Sequence, residues 1–246
     1  MSKVIGIIFA GGSGVRMGSG KPKQFLEVGG KPIIIHTLDI FENHPAVDEI
    51  YVACKEEYIS LLEKQLRRYD ITKVKKIVPG GTTGMGSIYN ALSAAAEENE
   101  DDAIVLIHDG VRPCISGSLI DKVIASVEAN GAAVTCTPMF ETPVVSTGGD
   151  FVERTPKRDD CYTAQAPQGC RLGRILDAHN TVRAKDPEYT GIVDNCTLVK
   201  NLGGEVAIVK GPRSNIKVTT PSDLYMFKAI IEYKETREAL GLDEER

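Results

Sequence analysis

The chain has 246 residues, 42% of them hydrophobic and 26% charged, which suits one sizeable α/β domain or two small ones and excludes a disordered or fibrous chain. A formal net charge of -5 supplies no global field toward nucleic acid or an anionic membrane, so any phosphate site has to be local. Cys54, Cys114, Cys136, Cys161, Cys170 and Cys196 are scattered, with no C-x-x-C and no pairing with the four histidines, which argues against zinc and for reduced thiols.

The N-terminal stretch lacks the pattern of a secretory signal, and no apolar run is long enough to span a bilayer. The expectation is a cytoplasmic protein with no nucleic-acid or membrane partner.

Val4 to Phe9 is a short, apolar, β-branched run of the kind that makes a fully buried parallel strand. Gly11, Gly12 and Gly14 follow, where backbone N–H groups can cradle an anion, and Arg16, Lys21 and Lys23 place positive charge over the same spot. The stretch reads as a polyphosphate cradle. It is not a Walker A loop, because Val15 stands where that pattern needs its first glycine and Pro22 follows Lys21. Nor is it a dinucleotide fingerprint, because Met17 stands where the third glycine belongs.

Further along, Lys31-Pro32 opens a helix to Asn43, Glu49 to Ala53 is a second strand, and Lys55 to Tyr69 an amphipathic helix. Val74 to Val78 is a third strand, followed by a second glycine-rich loop from Pro79 to Ser87 and a helix from Ile88 to Glu98. Ala103 to Ile107 is the next buried strand, Ser116 to Asn130 a helix and Ala132 to Thr137 a strand.

This alternation predicts a Rossmann-like α/β fold, a mostly parallel twisted sheet with helices on both faces. Ligands in such sheets bind beyond the carboxyl ends of the strands, where the loops after Phe9, Val78 and Ile107 meet. Met139 to Asp160 breaks the pattern: Val144-Val145, a Gly148-Gly149 turn and Phe151-Val152 read as a protruding β-hairpin. A lone hairpin is marginal, so the expectation is an arm that packs on a second subunit, inserted in one continuous domain over residues 1–246. Leu172 to Arg183 and Asp194 to Asn201 are expected helices, Val206 to Val209 a strand, Pro221 to Tyr233 a last helix capped by Thr219 or Thr220, and Glu235 onward a frayed end.

Six motifs stand in order: Ala10-Gly11-Gly12, Pro22-Lys23-Gln24, Gly80-Gly81 with Ser87, His108-Asp109 with Arg112-Pro113, Gln165-Ala166-Pro167-Gln168, and Ser214-Asn215-Ile216-Lys217-Val218-Thr219. Together they resemble the cytidylyltransferases that act on 2-C-methyl-D-erythritol 4-phosphate or ribitol 5-phosphate, over nearly the whole chain. The resemblance implies a phosphate monoester attacking the α-phosphorus of CTP with release of pyrophosphate. That nucleophile is already ionised near neutral pH, so the chemistry asks for Mg²⁺ and cations rather than a Ser/His/Asp or Cys/His set.

By the same resemblance Arg16 and Lys23 stabilise charge at the α-phosphate, while Phe9, Ala10, Gly11 and Gly12 with Gly80, Gly81, Thr82 and Ser87 hold the nucleotide. Asp109 binds Mg²⁺ or a substrate hydroxyl, and Asp194 assists at the metal or the substrate. Lys217, Arg158 and Thr142 orient the polyol phosphate, the last two reaching the neighbouring subunit's site in a homodimer.

Each assignment has a plainer alternative: a turn for Gly80-Gly81, helix caps for Asp109 and Asp194, surface polar groups for Arg158 and Thr142. His108 and Cys196 read as structural. Departures from the family pattern are Thr82 and Gly84 where it carries an acidic residue and an arginine, Glu141 for an aspartate, Ala166 for a threonine, and Asn195 for Glu, Asp or Ala.

Ala10-Gly11-Gly12 and the Gln165 stretch lean toward ribitol 5-phosphate, hence teichoic-acid or capsule building. His108-Asp109-Gly110 leans toward methylerythritol phosphate, hence isoprenoid synthesis. Another triphosphate, a sugar 1-phosphate acceptor, or a non-catalytic CTP-binding chain are the competing readings.

Overall fold

The computed structural model describes residues 2–11 and 22–242. Its strands are β1 Val4–Ala10, β2 Glu27–Val28, β3 Lys31–Pro32, β4 Glu49–Cys54, β5 Val74–Pro79, β6 Ile104–Asp109, β7 Ala132–Pro138, β8 Tyr162–Arg171 and β9 Ala207–Lys210. The α-helices are α1 Ile33–Glu42, α2 Ile59–Arg68, α3 Gly84–Ala96, α4 Gly117–Asn130, α5 Leu172–Arg183, α6 Asn195–Asn201 and α7 Pro221–Ala239. Seven strands form one sheet in the order β5-β4-β1-β6-β8-β7-β9. β8 runs antiparallel to β6 and β7 on either side, and the other pairings are parallel.

Strand alternation sends side chains to two cores. Ile5 and Ile7 of β1 pack with Val105 and Ile107 of β6 under α3 and α5, while Ile8 of β1 packs with Leu106 under α1 and α4. All three isoleucines of β1 are wholly buried, each worth about 1.5–3 kcal/mol on removal from water. A third, smaller core joins α7 through Phe227 to Val28, Ile33, Val111 and Val218.

Several elements differ from the sequence reading. Lys31-Pro32 belongs to a two-residue ladder with Glu27-Val28, so α1 starts at Ile33 with Pro32 at its N-cap position. α3 starts at Gly84 rather than Ile88, because Thr83 Oγ1 accepts from the Gly86 N–H at 3.0 Å and draws the end of the glycine loop into the first turn. β8 was not expected at all.

The last helix runs on to Ala239, and Asp223 accepts from the N–H groups of Thr219 and Thr220 at 2.8 Å each, with Pro221 in the first turn. The arm, residues 139–160, carries one isolated bridge, Val145 with Arg154, in place of the expected two strands. Phe151 is 84% exposed and Val152 61%, so the segment has no apolar partner within the described chain to order a longer ladder.

Candidate active site

At the carboxyl edge of β1, β5 and β6 lies a cleft of two lobes. The larger, of about 520 Å³, is lined by Phe9, Ala10, Gly11, Lys23, Lys55, Gly81, Thr82 and Ser87 among others. The smaller, of about 280 Å³, is lined by Arg112, Gln165, Gln168, Asp194 and Asn195 among others. Phe9, Gly84, Asp109 and Lys217 line both, so the lobes meet along a seam that carries one carboxylate and one ammonium.

Ser87 joins the two glycine-rich loops. Its Oγ accepts from the Gly81 N–H at 3.1 Å and donates to the Thr83 carbonyl at 3.0 Å. The packing around it leaves no room for side chains: a Cβ on Gly11 would lie 2.8 Å from Ser87 Oγ, and one on Gly81 would lie 2.6 Å from the Gly86 carbonyl carbon. Gly81 therefore answers to close approach of backbone to backbone. Lys23 begins a short 3-10 turn, and its side chain is drawn in until the residue is only 9% exposed at the mouth of the larger lobe. The next residue anchors that turn, Gln24 Nε2 donating to the Ala10 carbonyl at 2.9 Å.

The seam is an ion network. Asp109 ends β6 at 6% exposure, with Lys217 Nζ 2.5 Å from Oδ1 and Arg112 Nε 3.2 Å from Oδ2. Burial pushes the Asp109 carboxyl up, but Lys217 and then Arg112 outweigh it and hold the group below the usual carboxylate range. Arg112 also donates to the Asn215 carbonyl at 2.7 Å. Asn215, wholly buried, donates to the Ala166 carbonyl at 2.8 Å, and the Val218 N–H donates to Val111 at 2.8 Å. These bonds dock the segment bearing Lys217 against the end of β6 and the middle of β8, more than a hundred residues from Asp109 in the chain.

His108, one residue earlier, points to the other face. It is wholly buried beside Phe41, hydrogen-bonds the Arg112 carbonyl at 2.9 Å, and burial pushes it down to about 4, so it holds the turn as a neutral group. Cys196 donates its backbone N–H to Gln168 Oε1, and burial pushes its thiol up, away from a nucleophilic form.

Of the residues expected to hold nucleotide, Phe9, Ala10, Gly11, Gly81, Thr82 and Ser87 line the larger lobe, and Gly80 sits just behind, its N–H bonded to the Cys54 carbonyl at 2.7 Å. Gly12 and Arg16 lie outside the described residues. Asp109 and Lys217 meet at the seam, and Asp194 lines the smaller lobe while its Oδ1 caps α6 by accepting from the Thr197 N–H at 2.7 Å. Thr142 and Arg158 stand exposed on the arm and line neither lobe of their own chain.

Sequence reasoning missed Lys55, whose position after β4 puts it in the larger lobe, and the roles of Arg112, Gln168 and Asn195. The placement of Lys55 at the carboxyl end of a buried strand was the available signal.

A glycine-lined lobe with strand-end cations, opening across a carboxylate–lysine seam into a second polar lobe, on a doubly wound sheet, defines a nucleotidyltransferase. Residues 4–233 match the family model described as IspD, 2-C-methyl-D-erythritol 4-phosphate cytidylyltransferase, and the chain belongs to that family.

A ribitol-5-phosphate cytidylyltransferase of Streptococcus agalactiae serotype III (strain NEM316) is 44% identical over 239 residues, covering 97% of this chain and 99% of that protein. A 2-C-methyl-D-erythritol 4-phosphate cytidylyltransferase of Syntrophotalea carbinolica is 38% identical over 227 residues, covering 92% of this chain and 95% of its own. Among solved structures, 4-diphosphocytidyl-2C-methyl-D-erythritol synthase of Anaerococcus prevotii superposes with a TM-score of 0.81 at 30% identity, covering 94% and 96% of the two chains. The chain is thus a cytidylyltransferase of the kind that acts on polyol phosphates. Among the described residues no helix is long and apolar enough to cross a membrane.

Proposed function

We propose that the chain transfers CMP from CTP to ribitol 5-phosphate, in preference to 2-C-methyl-D-erythritol 4-phosphate, and releases pyrophosphate. The observation that carries this reading is the seam: Asp109 and Lys217 border both lobes, so a triphosphate in one and a phosphate monoester in the other meet beside a fixed cation. The stronger identity to the ribitol-5-phosphate relative supports the choice of acceptor.

In this account the acceptor's phosphate oxygen forms a bond to the α-phosphorus as the bond to the pyrophosphate oxygen breaks, and the electron pair leaves with pyrophosphate. The attacking oxygen is already ionised and needs no base. Lys23, Lys217 and Arg16 lower the barrier by meeting charge that builds at the α-phosphate, and the backbone N–H groups of the two glycine loops hold the nucleotide in line. Gly11 and Gly81 allow that close approach, and Ser87 fixes the spacing of the loops.

Carboxylates at the edge of a phosphate-binding cleft fit a magnesium ion carried by the triphosphate. Asp109 and Asp194, both bordering the smaller lobe, are the side chains that would hold it, and the bound ion supplies charge neutralisation on the phosphates. The arm, with Val144, Phe151 and Val152 exposed, suits packing on a second copy, which would bring Thr142 and Arg158 to the neighbour's acceptor lobe. The reaction's substrates and cysteine usage fit a cytoplasmic enzyme.

Phosphorus NMR of a reaction with CTP and ribitol 5-phosphate tests this directly. A pair of coupled diphosphate signals from a CDP-polyol is the expected result. Products from another triphosphate or a sugar 1-phosphate, or none from any acceptor, would refute it.

A further inference from the structure

His179 stands in α5 at 0% exposure with both ring nitrogens engaged. Nδ1 lies 2.6 Å from the Tyr189 hydroxyl and Nε2 lies 3.0 Å from Asn195 Oδ1. Burial keeps the imidazole neutral, and a neutral imidazole has one donor and one acceptor. An amide oxygen only accepts, so Nε2 carries the hydrogen and donates to Asn195, and Nδ1 accepts from Tyr189.

Tyr189 closes the far end of the row. Arg183 lies over the rings of Tyr89 and Tyr189, its guanidinium carbon 4.1 Å and 5.8 Å from their centroids, and packs the outer side of the row. Tyr189 is 3% exposed and sits at φ 58°, a left-handed backbone that costs a non-glycine residue on the order of 1 kcal/mol and needs its surroundings to hold it. Both donors in the row point the same way, from Tyr189 through His179 to Asn195.

The row ends at the cleft. Asn195 is 5% exposed and borders the smaller lobe with Asp109, Arg112 and Lys217. Its side-chain oxygen is taken by His179 and its backbone N–H by Gln168 Oε1 at 3.1 Å. What remains to face a ligand is the Nδ2 amide, a pure donor. A carboxylate at this position could only accept and would repel a phosphate, so the amide changes what the lobe can read.

We propose that Asn195 is an acceptor-reading residue, donating Nδ2–H to an oxygen of the polyol phosphate, and that His179 is the positioning residue that aims it. The proposal rests on the reading of the smaller lobe as the acceptor's place and goes beyond it by naming the side chain that discriminates among acceptors.

Two measurements test it on the full chain. In ¹⁵N NMR, the Asn195 side-chain amide pair, assigned by its loss in Asn195→Asp, is followed while ribitol 5-phosphate, 2-C-methyl-D-erythritol 4-phosphate and glycerol 3-phosphate are added. The pair should shift with at least one acceptor and stay put with CTP alone. In steady-state kinetics, Asn195→Ala should raise the acceptor KM about tenfold, with the KM for CTP within about twofold. His179→Leu should do the same, and His179→Gln, which can still donate to Asn195, should restore most of the loss.

An amide pair that never moves, or variants that change both KM values alike, would overturn the proposal. Turnover with an unmoved amide faults this inference alone. A moved amide without turnover faults the reaction and leaves the inference standing, and neither movement nor turnover overturns both.

Discussion

Replacing Asp109 by Asn removes one charge from the seam and almost no volume. The two cations it leaves behind are not equivalent. The Arg112 side chain is 10% exposed and would keep only the Asn215 carbonyl, whereas the Lys217 side chain is 41% exposed and can turn to water. Breaking a buried pair from one side costs ~3–5 kcal/mol, while an exposed partner adds little, so the expected loss at pH 7 is about 2–4 kcal/mol. Urea unfolding followed by circular dichroism reads this as a lower midpoint with an unchanged slope.

The sign of the pH dependence follows from the depressed folded pKa of Asp109. Its contribution is complete above the unfolded value of ~3.9 and is lost as pH falls through the folded value. The gap between wild type and Asp109→Asn should therefore be full at pH 7 and close below about pH 4. Turnover should fall by ~10²-fold or more, since Lys217 loses the partner that aims it across the seam. A gap under about 0.5 kcal/mol, or one that does not change with pH, would refute the reasoning.

Lys23→Ala should cut turnover by ~10²–10³ without unfolding the protein, and a variant within about twofold of wild type would remove Lys23 from the chemistry. Gly81→Ala forces a Cβ against the backbone of α3 at 2.6 Å and should cost about 1–3 kcal/mol and weaken CTP binding in calorimetry, while Gly84→Ala, whose Cβ meets nothing within 4 Å, should be neutral or stabilising. Burial pushes His108 and His179 down to about 4, so each is neutral when folded and takes a proton near pH ~6.5 when unfolded. Stability from these two groups is full above about pH 6.5 and falls as pH drops toward 4, by up to ~2.7 kcal/mol per pH unit, which urea titrations at four or five pH values will register.

The elements that periodicity can see were legible. β1, β4 and β6 are continuous apolar runs, and α2 and α4 carry apolar stripes with polar backs, so the parallel part of the sheet and the glycine loops at its carboxyl edge follow from the sequence. β8 does not look like a strand: Pro167 stands in its middle among Gln165, Gln168 and Gly169, and the segment pairs only because β6 and β7 flank it. The arm shows the reverse case. Its Val144-Val145 and Phe151-Val152 pairs about a Gly-Gly turn predict a ladder, yet the pairing stops at one bridge.

At the site, single residues could be read from the strand ends they occupy, but their partnerships could not. Nothing in the spacing of Asp109, Arg112 and Lys217 says that one carboxylate serves both cations, or that His179 and Asn195 meet across two helices. Those facts belong to the docking of residues 215–218 and of α6, which only tertiary packing determines.

In the proposed reaction one cleft joins CTP to a polyol phosphate across the Asp109–Lys217 seam. The most direct test is pyrophosphate release with Mg²⁺, in which CTP, ATP, GTP and UTP are each crossed with ribitol 5-phosphate, 2-C-methyl-D-erythritol 4-phosphate and glycerol 3-phosphate. Release with CTP and ribitol 5-phosphate, exceeding every other combination and lost in Lys217→Ala, is the predicted result. Release that ignores the base, or that survives in Lys217→Ala, would contradict the account.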